Sequence, residues 1–167
     1  MISFQPVHSE AQIADVARLA REIWQEHYVP IIGQAQVDYM LENFQSETAL
    51  SKQLQQAYEY YLITNNRQSA GYLAIVPGQN DASLMLSKLY VRKSERGRGL
   101  GKQGLHFVED LCAKRAVNLL WLTVNKHNAD SIAWYSQMGF TNAGSIIQDI
   151  GSGFVMDDFR FEKAIPK

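Results

Sequence analysis

The chain has 167 residues, 46% of them apolar and 20% charged, and its 16 basic and 17 acidic side chains leave a formal net charge of -1. That length fits a single domain, 1–167, that buries about two-thirds of its unfolded surface, and the apolar fraction excludes a disordered chain. The near-neutral charge excludes a global field for nucleic acid or anionic lipid, so any phosphate recognition must be local.

The N-terminus, Met1-Ile2-Ser3-Phe4-Gln5-Pro6, carries no basic and apolar leader, and no segment approaches the roughly 18 apolar residues needed to span a bilayer. The expected compartment is the cytoplasm, without a membrane partner. Residues 2 to 7 alternate apolar and polar. Ser9-Glu10-Ala11-Gln12 then forms a capping-box pattern, which predicts a helix from Ser9 to about Glu26 with Ile13, Val16, Ala17, Ala20, Ile23 and Trp24 on one face. Pro30 and Gly33 are expected to end it. Val37, Met40, Leu41 and Phe44 mark a second helix, and a third runs from about Ser46 to Ala57.

Aromatic and branched residues dominate Tyr58 to Thr64 and Ala70 to Val76, which predicts a β-hairpin turning at Asn65-Asn66. Pro77-Gly78-Gln79-Asn80-Asp81 reads as a turn. The strand Ser83 to Val91 follows, with Leu84, Leu86 and, by the same alternation, Lys88 on one face and Met85, Ser87 and Leu89 on the other. A helix from about Gly99 to Arg115 carries the apolar stripe Leu105, Val108, Leu111 and Cys112. The strand Leu119 to Val124 completes a strand–helix–strand unit, which predicts a parallel pair. Cys112 is the one cysteine, so there is no internal disulfide or cysteine-rich metal site, and its position predicts a packed thiol. Asn128 suits an N-cap for a short helix ending at Met138-Gly139, and strands from about Phe140 to Ile150 and Phe154 to Lys163 close the chain.

The strongest local signal is Arg96-Gly97-Arg98-Gly99-Leu100-Gly101-Lys102, between a strand and a helix. Glycines let the backbone turn tightly, and the unpartnered first amides of a helix lie at the positive end of its dipole. Together they form a socket for an anion such as a pyrophosphate, with Arg96, Arg98 and Lys102 adding charge. Taken alone, the segment also reads as a solvated basic loop. Neither a dinucleotide fingerprint nor a Walker loop fits: the glycines at 97, 99, 101 and 104 have the wrong spacing, and Gln103 follows Lys102 where Ser or Thr is needed.

Arg96-x-x-Gly99-x-Gly101 resembles the pyrophosphate-binding motif of the GCN5-related N-acetyltransferase (GNAT) family. Upstream, Leu89-Tyr90-Val91 resembles the strand whose backbone pairs with the pantetheine arm of coenzyme A. Downstream, Trp121-Leu122-Thr123-Val124-Asn125, Asn128, Ala133-Trp134-Tyr135 and Met138-Gly139-Phe140 resemble the second cofactor motif in order and spacing. The resemblance implies an α/β (α+β) fold: a mixed, mostly antiparallel twisted sheet of about six to seven strands flanked by helices. It also implies acetyl-CoA as cosubstrate, no metal, and transfer of an acetyl group to an amine of a small molecule or a peptide. A weaker likeness of Glu22 to Tyr28 and Asp38 to Leu41 to the polyamine branch points to a small amine. A homodimer through the C-terminal strands rests on family analogy alone.

Expelling a thiolate from a tetrahedral intermediate is helped by an acid, and a tyrosine is protonated at neutral pH. The resemblance makes Tyr135 that acid and Asn128 a cofactor contact, and their separation of seven positions places them on one helix face about 10 Å apart. The attacking amine must first lose a proton. Many family members carry a glutamate on the strand before the loop, but Leu84 to Tyr90 contains no carboxylate. Glu22, Glu26, His27 and a water relay remain as candidate bases. Tyr28, Tyr39 and Tyr58-Glu59-Tyr60-Tyr61 could line a cation pocket or form core, and Asp157-Asp158 could face the acceptor or solvent. The missing glutamate also keeps open a noncatalytic acyl-CoA-binding or sensing domain.

Overall fold

The computed structural model describes residues 1–79 and 81–167; Asn80, in the expected turn, lies outside the described residues. Seven strands form one sheet in the order β1-β2-β3-β4-β5-β7-β6. They are β1 (Ile2–Pro6), β2 (Glu59–Asn65), β3 (Gln68–Pro77), β4 (Ser83–Val91), β5 (Leu119–Asn125), β6 (Thr141–Gly151) and β7 (Phe154–Ala164). Every neighbouring pair is antiparallel except β4 and β5, the pair joined by a helical crossover. The mixed, mostly antiparallel architecture is the one the sequence implied.

Helix α1 (Glu10–His27) begins as its capping box dictates: Ser9 Oγ accepts from Gln12 N at 3.2 Å, and Gln12 Oε1 accepts from Ser9 N at 3.0 Å. Pro30 does not simply stop the chain. It sits in the first turn of a short helix, α2 (Val29–Ile32), where its missing N–H costs nothing, and Gly33 at φ +87° turns the chain into α3 (Gln34–Phe44). Ser46 caps α4 (Glu47–Gln55). The β2–β3 hairpin turns one residue later than expected, on Asn66 and Arg67, both at positive φ, which suits the right-handed twist of the strands they join.

Two cores cover the two faces of the sheet. On one face Ile63, Leu73, Leu84, Leu120 and Phe161 meet Leu105, Val108 and Cys112 of α5 (Leu100–Lys114). On the other, Tyr60, Leu62, Tyr72 and Ala74 meet Ile13, Val16, Ala20, Ile23 and Trp24 of α1, with Val37, Met40 and Leu50 behind. Cys112 is packed as expected, and burial pushes its thiol up to about 11.

The expected facing of β4 is wrong past Leu86. Ala74 pairs with Lys88 and Ile75 with Leu86, so Ser87 is an extra residue, a β-bulge, and the alternation inverts there. Leu89 and Val91 therefore join Leu84 and Leu86 on the α5 face, while Lys88 and Tyr90 turn toward α1. Among the described residues no helix is long and apolar enough to cross a membrane, and no group of three or more His, Cys, Asp or Glu side chains could hold a metal ion.

Candidate active site

The bulge at Ser87 lies just past the last contact between β4 and β5. Their ladder covers only Ser83 to Met85 against Leu119 to Trp121. Bulges bend a strand and increase its twist, and beyond this one the two strands diverge. Each prong of the resulting fork remains backed by its other neighbour: β4 pairs with β3 as far as Val91, and β5 with β7 as far as Asn125. The fork thus leaves one backbone edge of β4 without a strand partner over Leu89-Tyr90-Val91, the segment expected to pair with an extended ligand. The side chains of Leu89 and Val91 pack in the α5 core and that of Tyr90 packs against α1, so the free edge itself is main chain.

At its mouth, the chain makes a 3-10 turn (Lys93–Glu95) and passes through Gly97 and Gly99, at φ +77° and +80°, into α5. Gln103 N bonds to Gly99 O at 3.0 Å, so the amides of Leu100, Gly101 and Lys102 precede the first bond of the helix. The Leu100 side chain is buried and anchors the turn; its amide is what the socket can use. Gly104 lets α5 lie close on β4, since a Cβ there would meet Leu89 Cδ1 at 3.0 Å. Arg96 is exposed and its Nε donates to Val91 O at 3.0 Å, while Arg98 pairs with Glu95 at 3.4 Å and Lys102 is exposed.

Beside the β4 prong, side chains gather around Tyr28, the C-cap of α1. Its hydroxyl stands 3.3 Å from that of Tyr90, and its ring packs on Trp24 with centroids 4.4 Å apart. Asn128, almost fully buried, caps α6 (Ala129–Gln137) by accepting from Ser131 N at 3.4 Å, and its amide also lies against Tyr28 and His27. Tyr135 on α6 packs between Trp134 and Phe140, at centroid distances of 4.9 and 5.5 Å. Burial pushes its phenol above the ordinary value and the neighbouring Tyr28 adds to the rise, so Tyr135 carries its proton at neutral pH. Tyr28 is raised for the same first reason.

Of the three candidate bases, Glu22 is engaged by Arg92 at 3.1 Å and Glu26 is exposed on α1. Only His27 reaches the cluster, held below its usual value by burial and by the Arg96 charge, with Asn128 and Asp130 acting in the opposite sense. The Tyr58–Tyr60 pair does bind a cation, but an internal one: Lys88 Nζ lies 5.3 and 5.0 Å from the two ring centroids and donates to Tyr60 Oη at 2.6 Å. Tyr39 is tied to the closing hairpin, donating to Ile150 O at 2.6 Å. Phe159 and Phe161 face the α5 core, which turns Asp157 to that side, where Lys126 pairs with it at 2.8 Å, and turns Asp158 to the opposite side. There Asp158 is 2% exposed.

Residues 16–140 match the Acetyltransferase (GNAT) family. An uncharacterised N-acetyltransferase of Lactobacillus delbrueckii subsp. lactis is 30% identical over 112 residues, 64% of this chain and 64% of the relative. The ribosomal protein bS18 alanine N-acetyltransferase of Escherichia coli is 30% identical over 98 residues, 59% of this chain and 65% of that one. The chain thus spans less than two thirds of the length of either relative. The crystal structure of the PaiA N-acetyltransferase of Thermoplasma acidophilum in complex with coenzyme A has the same fold, with a TM-score of 0.79 over 98% of this chain and 99% of that one, at 18% identity. With the family matched over most of its length and the fork, glycine loop and α6 cluster arranged as described, the chain belongs to the acetyltransferase (GNAT) family.

Proposed function

We propose that the protein transfers an acetyl group from acetyl-CoA to a primary amine of a small molecule or a peptide. The observation that carries this reading is the fork: an unpaired edge of β4 leads from the amide-lined start of α5 to the hydroxyl of Tyr135. A pyrophosphate on the amides of Leu100, Gly101 and Lys102 needs no further side chain to fix it, and Arg96 adds charge. The pantetheine arm then lies along Leu89-Tyr90-Val91 as an added strand would, which delivers the thioester toward Tyr28, Asn128 and Tyr135.

The amine nitrogen attacks the thioester carbonyl, the tetrahedral intermediate collapses with cleavage of the C–S bond, and Tyr135 gives its proton to the departing sulfur. A raised phenol is a weaker acid, which by itself disfavours that transfer, since an ordinary thiol is the stronger acid of the two. The sulfur leaves into the same desolvated wall, however, so its own affinity for a proton rises too. The test is release of free thiol from acetyl-CoA in the presence of an amine panel. Turnover with at least one amine supports transfer, whereas tight coenzyme A binding without turnover favours the acyl-CoA sensor.

A further inference from the structure

Acetyl transfer requires a group that takes a proton from the acceptor, and β4 offers none: Ser87, Lys88 and Leu89 stand where the fork opens. Among the described residues, the one buried carboxylate on the α1 side of the fork is Asp158 of β7. It lies directly across from Asn125, the last paired residue of β5. Thr123 of β5 hydrogen-bonds its carboxyl, yet Oδ1 has no partner although the residue is 2% exposed. Lys126, whose charge acts on it, is paired with Asp157 on the other side of the strand. Desolvating an ionised carboxylate without a counter-ion is costly, and such groups persist where a ligand completes them.

We propose that Asp158 is the catalytic residue that binds the acceptor as an ammonium ion and accepts its proton, which restricts the acceptor to cationic primary amines; the proposal rests on the acetyl-transfer reading. The geometry supports it from both sides. The Asp158 charge raises the Tyr28 phenol and Tyr28 in turn raises Tyr135, so the carboxylate and the acid share one electrostatic neighbourhood around Tyr28. An amine held between them has its nitrogen toward the carboxylate and faces the carbonyl whose sulfur Tyr135 serves.

The protons balance. The ammonium N–H breaks as an O–H forms on Asp158, which frees the lone pair. The new N–C bond forms and the C–S bond breaks as Tyr135 protonates the sulfur. The second nitrogen proton then restores the Tyr135 hydroxyl, and Asp158 returns its proton to solvent. Burial pushes the Asp158 carboxyl up to about 6, with Asp157 adding to the rise and Thr123 and Lys126 opposing it. That narrows the gap to an alkylammonium near 10 while leaving the carboxylate ionised at neutral pH. The other groups facing this region are His27 and Tyr28 from α1 and Arg160 from β7, the last stacked on Trp121 and paired with Glu162.

The experiment measures thiol release and amine binding by wild type, Asp158→Asn and His27→Gln, with 1,4-diaminobutane and an alanyl peptide as probes, from pH 5 to 9. Coenzyme A affinity and thermal melting serve as controls for folding. Wild-type kcat/KM should rise with pH through about 6, the limb should vanish in Asp158→Asn with a loss on the order of 10²-fold or more, and His27→Gln should keep it. A limb that survives in Asp158→Asn, or that disappears in His27→Gln instead, overturns the assignment. If no probe is turned over although coenzyme A binds, the transfer reading fails and binding decides: diamine affinity at least tenfold weaker in Asp158→Asn upholds Asp158 as the ammonium site, and equal affinity overturns it.

Discussion

The hydroxyl oxygens of Tyr28 and Tyr90 stand 3.3 Å apart, tying the end of α1 to the prong of the fork that β4 forms. Both groups are partly buried, so removing one leaves the other without its partner. Tyr28→Phe should cost about 1 kcal/mol, which for a chain of this size lowers Tm by roughly 2–4 °C. If Tyr28 helps to position the proposed acid Tyr135 and base Asp158, turnover should fall by about tenfold. Calorimetric melting beside a steady-state assay checks both. An unchanged Tm together with full turnover removes Tyr28 from the site.

In the proposed phosphate socket Arg96 and Gly99 would act in different ways. Arg96→Ala removes an exposed charge and the bond from Nε to Val91 O, whereas Gly99→Val forces a β-branched residue to φ +80°, a conformation it strongly disfavours. Each should weaken coenzyme A binding by about tenfold, or ~1.4 kcal/mol. Titration calorimetry at two salt concentrations separates them. The arginine variant should lose part of the salt dependence of binding and the glycine variant should keep it, since only the former removes a screened charge.

Lys88 is almost fully buried among Tyr58, Tyr60 and Gln53, and burial lowers its ammonium to about 7. The unfolded chain, with an ordinary lysine near 10.4, binds this proton more tightly than the folded one does. The penalty is therefore complete below pH 7 and is relieved as pH rises from about 7 toward 10, with stability gaining up to roughly 1.4 kcal/mol per pH unit. Above 10 the raised tyrosines reverse the trend, because the folded state then holds their protons more tightly. Urea midpoints at pH 7, 8 and 9 should climb for wild type and stay nearly flat for Lys88→Met. A flat wild-type profile means that Lys88 is charged in the folded state.

Local chemistry and the pairing of β2 with β3 and of β4 with β5 were readable in the sequence, and the exact register was not. Ser9 and Gln12 announce their capping box because both partners lie within one turn, and Arg96 to Lys102 announce a socket because glycine freedom and helix-end amides are properties of a few consecutive residues. The bulge at Ser87 leaves no comparable mark. Leu84, Leu86 and Lys88 continue an unbroken alternation, and only the register against β3 inverts it. Lys88 thus moved to the opposite face, where it fills the tyrosine pocket that otherwise reads as an acceptor site. Asp158 needed two pairings, β7 with β5 and β7 with β6, before it could be placed beside Tyr28. The aromatic alternation Phe159 and Phe161 was the available signal, since it sends Asp157 and Asp158 to opposite faces.

Tyr135→Phe keeps the ring that packs against Trp134 and Phe140 and removes only the hydroxyl. Stability should change little. If that hydroxyl protonates the leaving sulfur, the defect should shrink as the acyl donor's thiol is made more acidic, because a better leaving group needs less help. A series of acetyl thioesters measures the slope. An equal loss with every donor assigns Tyr135 to positioning.

Acetyl transfer at the fork is tested most directly by thiol release from acetyl-CoA across a panel of primary amines, run on wild type and on Tyr135→Phe with coenzyme A affinity measured in parallel. Wild type should release thiol in an amine-dependent way, and Tyr135→Phe should lose on the order of 10²- to 10⁴-fold in turnover at nearly unchanged cofactor affinity. Tight binding of coenzyme A by wild type with no amine-dependent release, or full turnover by Tyr135→Phe, would contradict it.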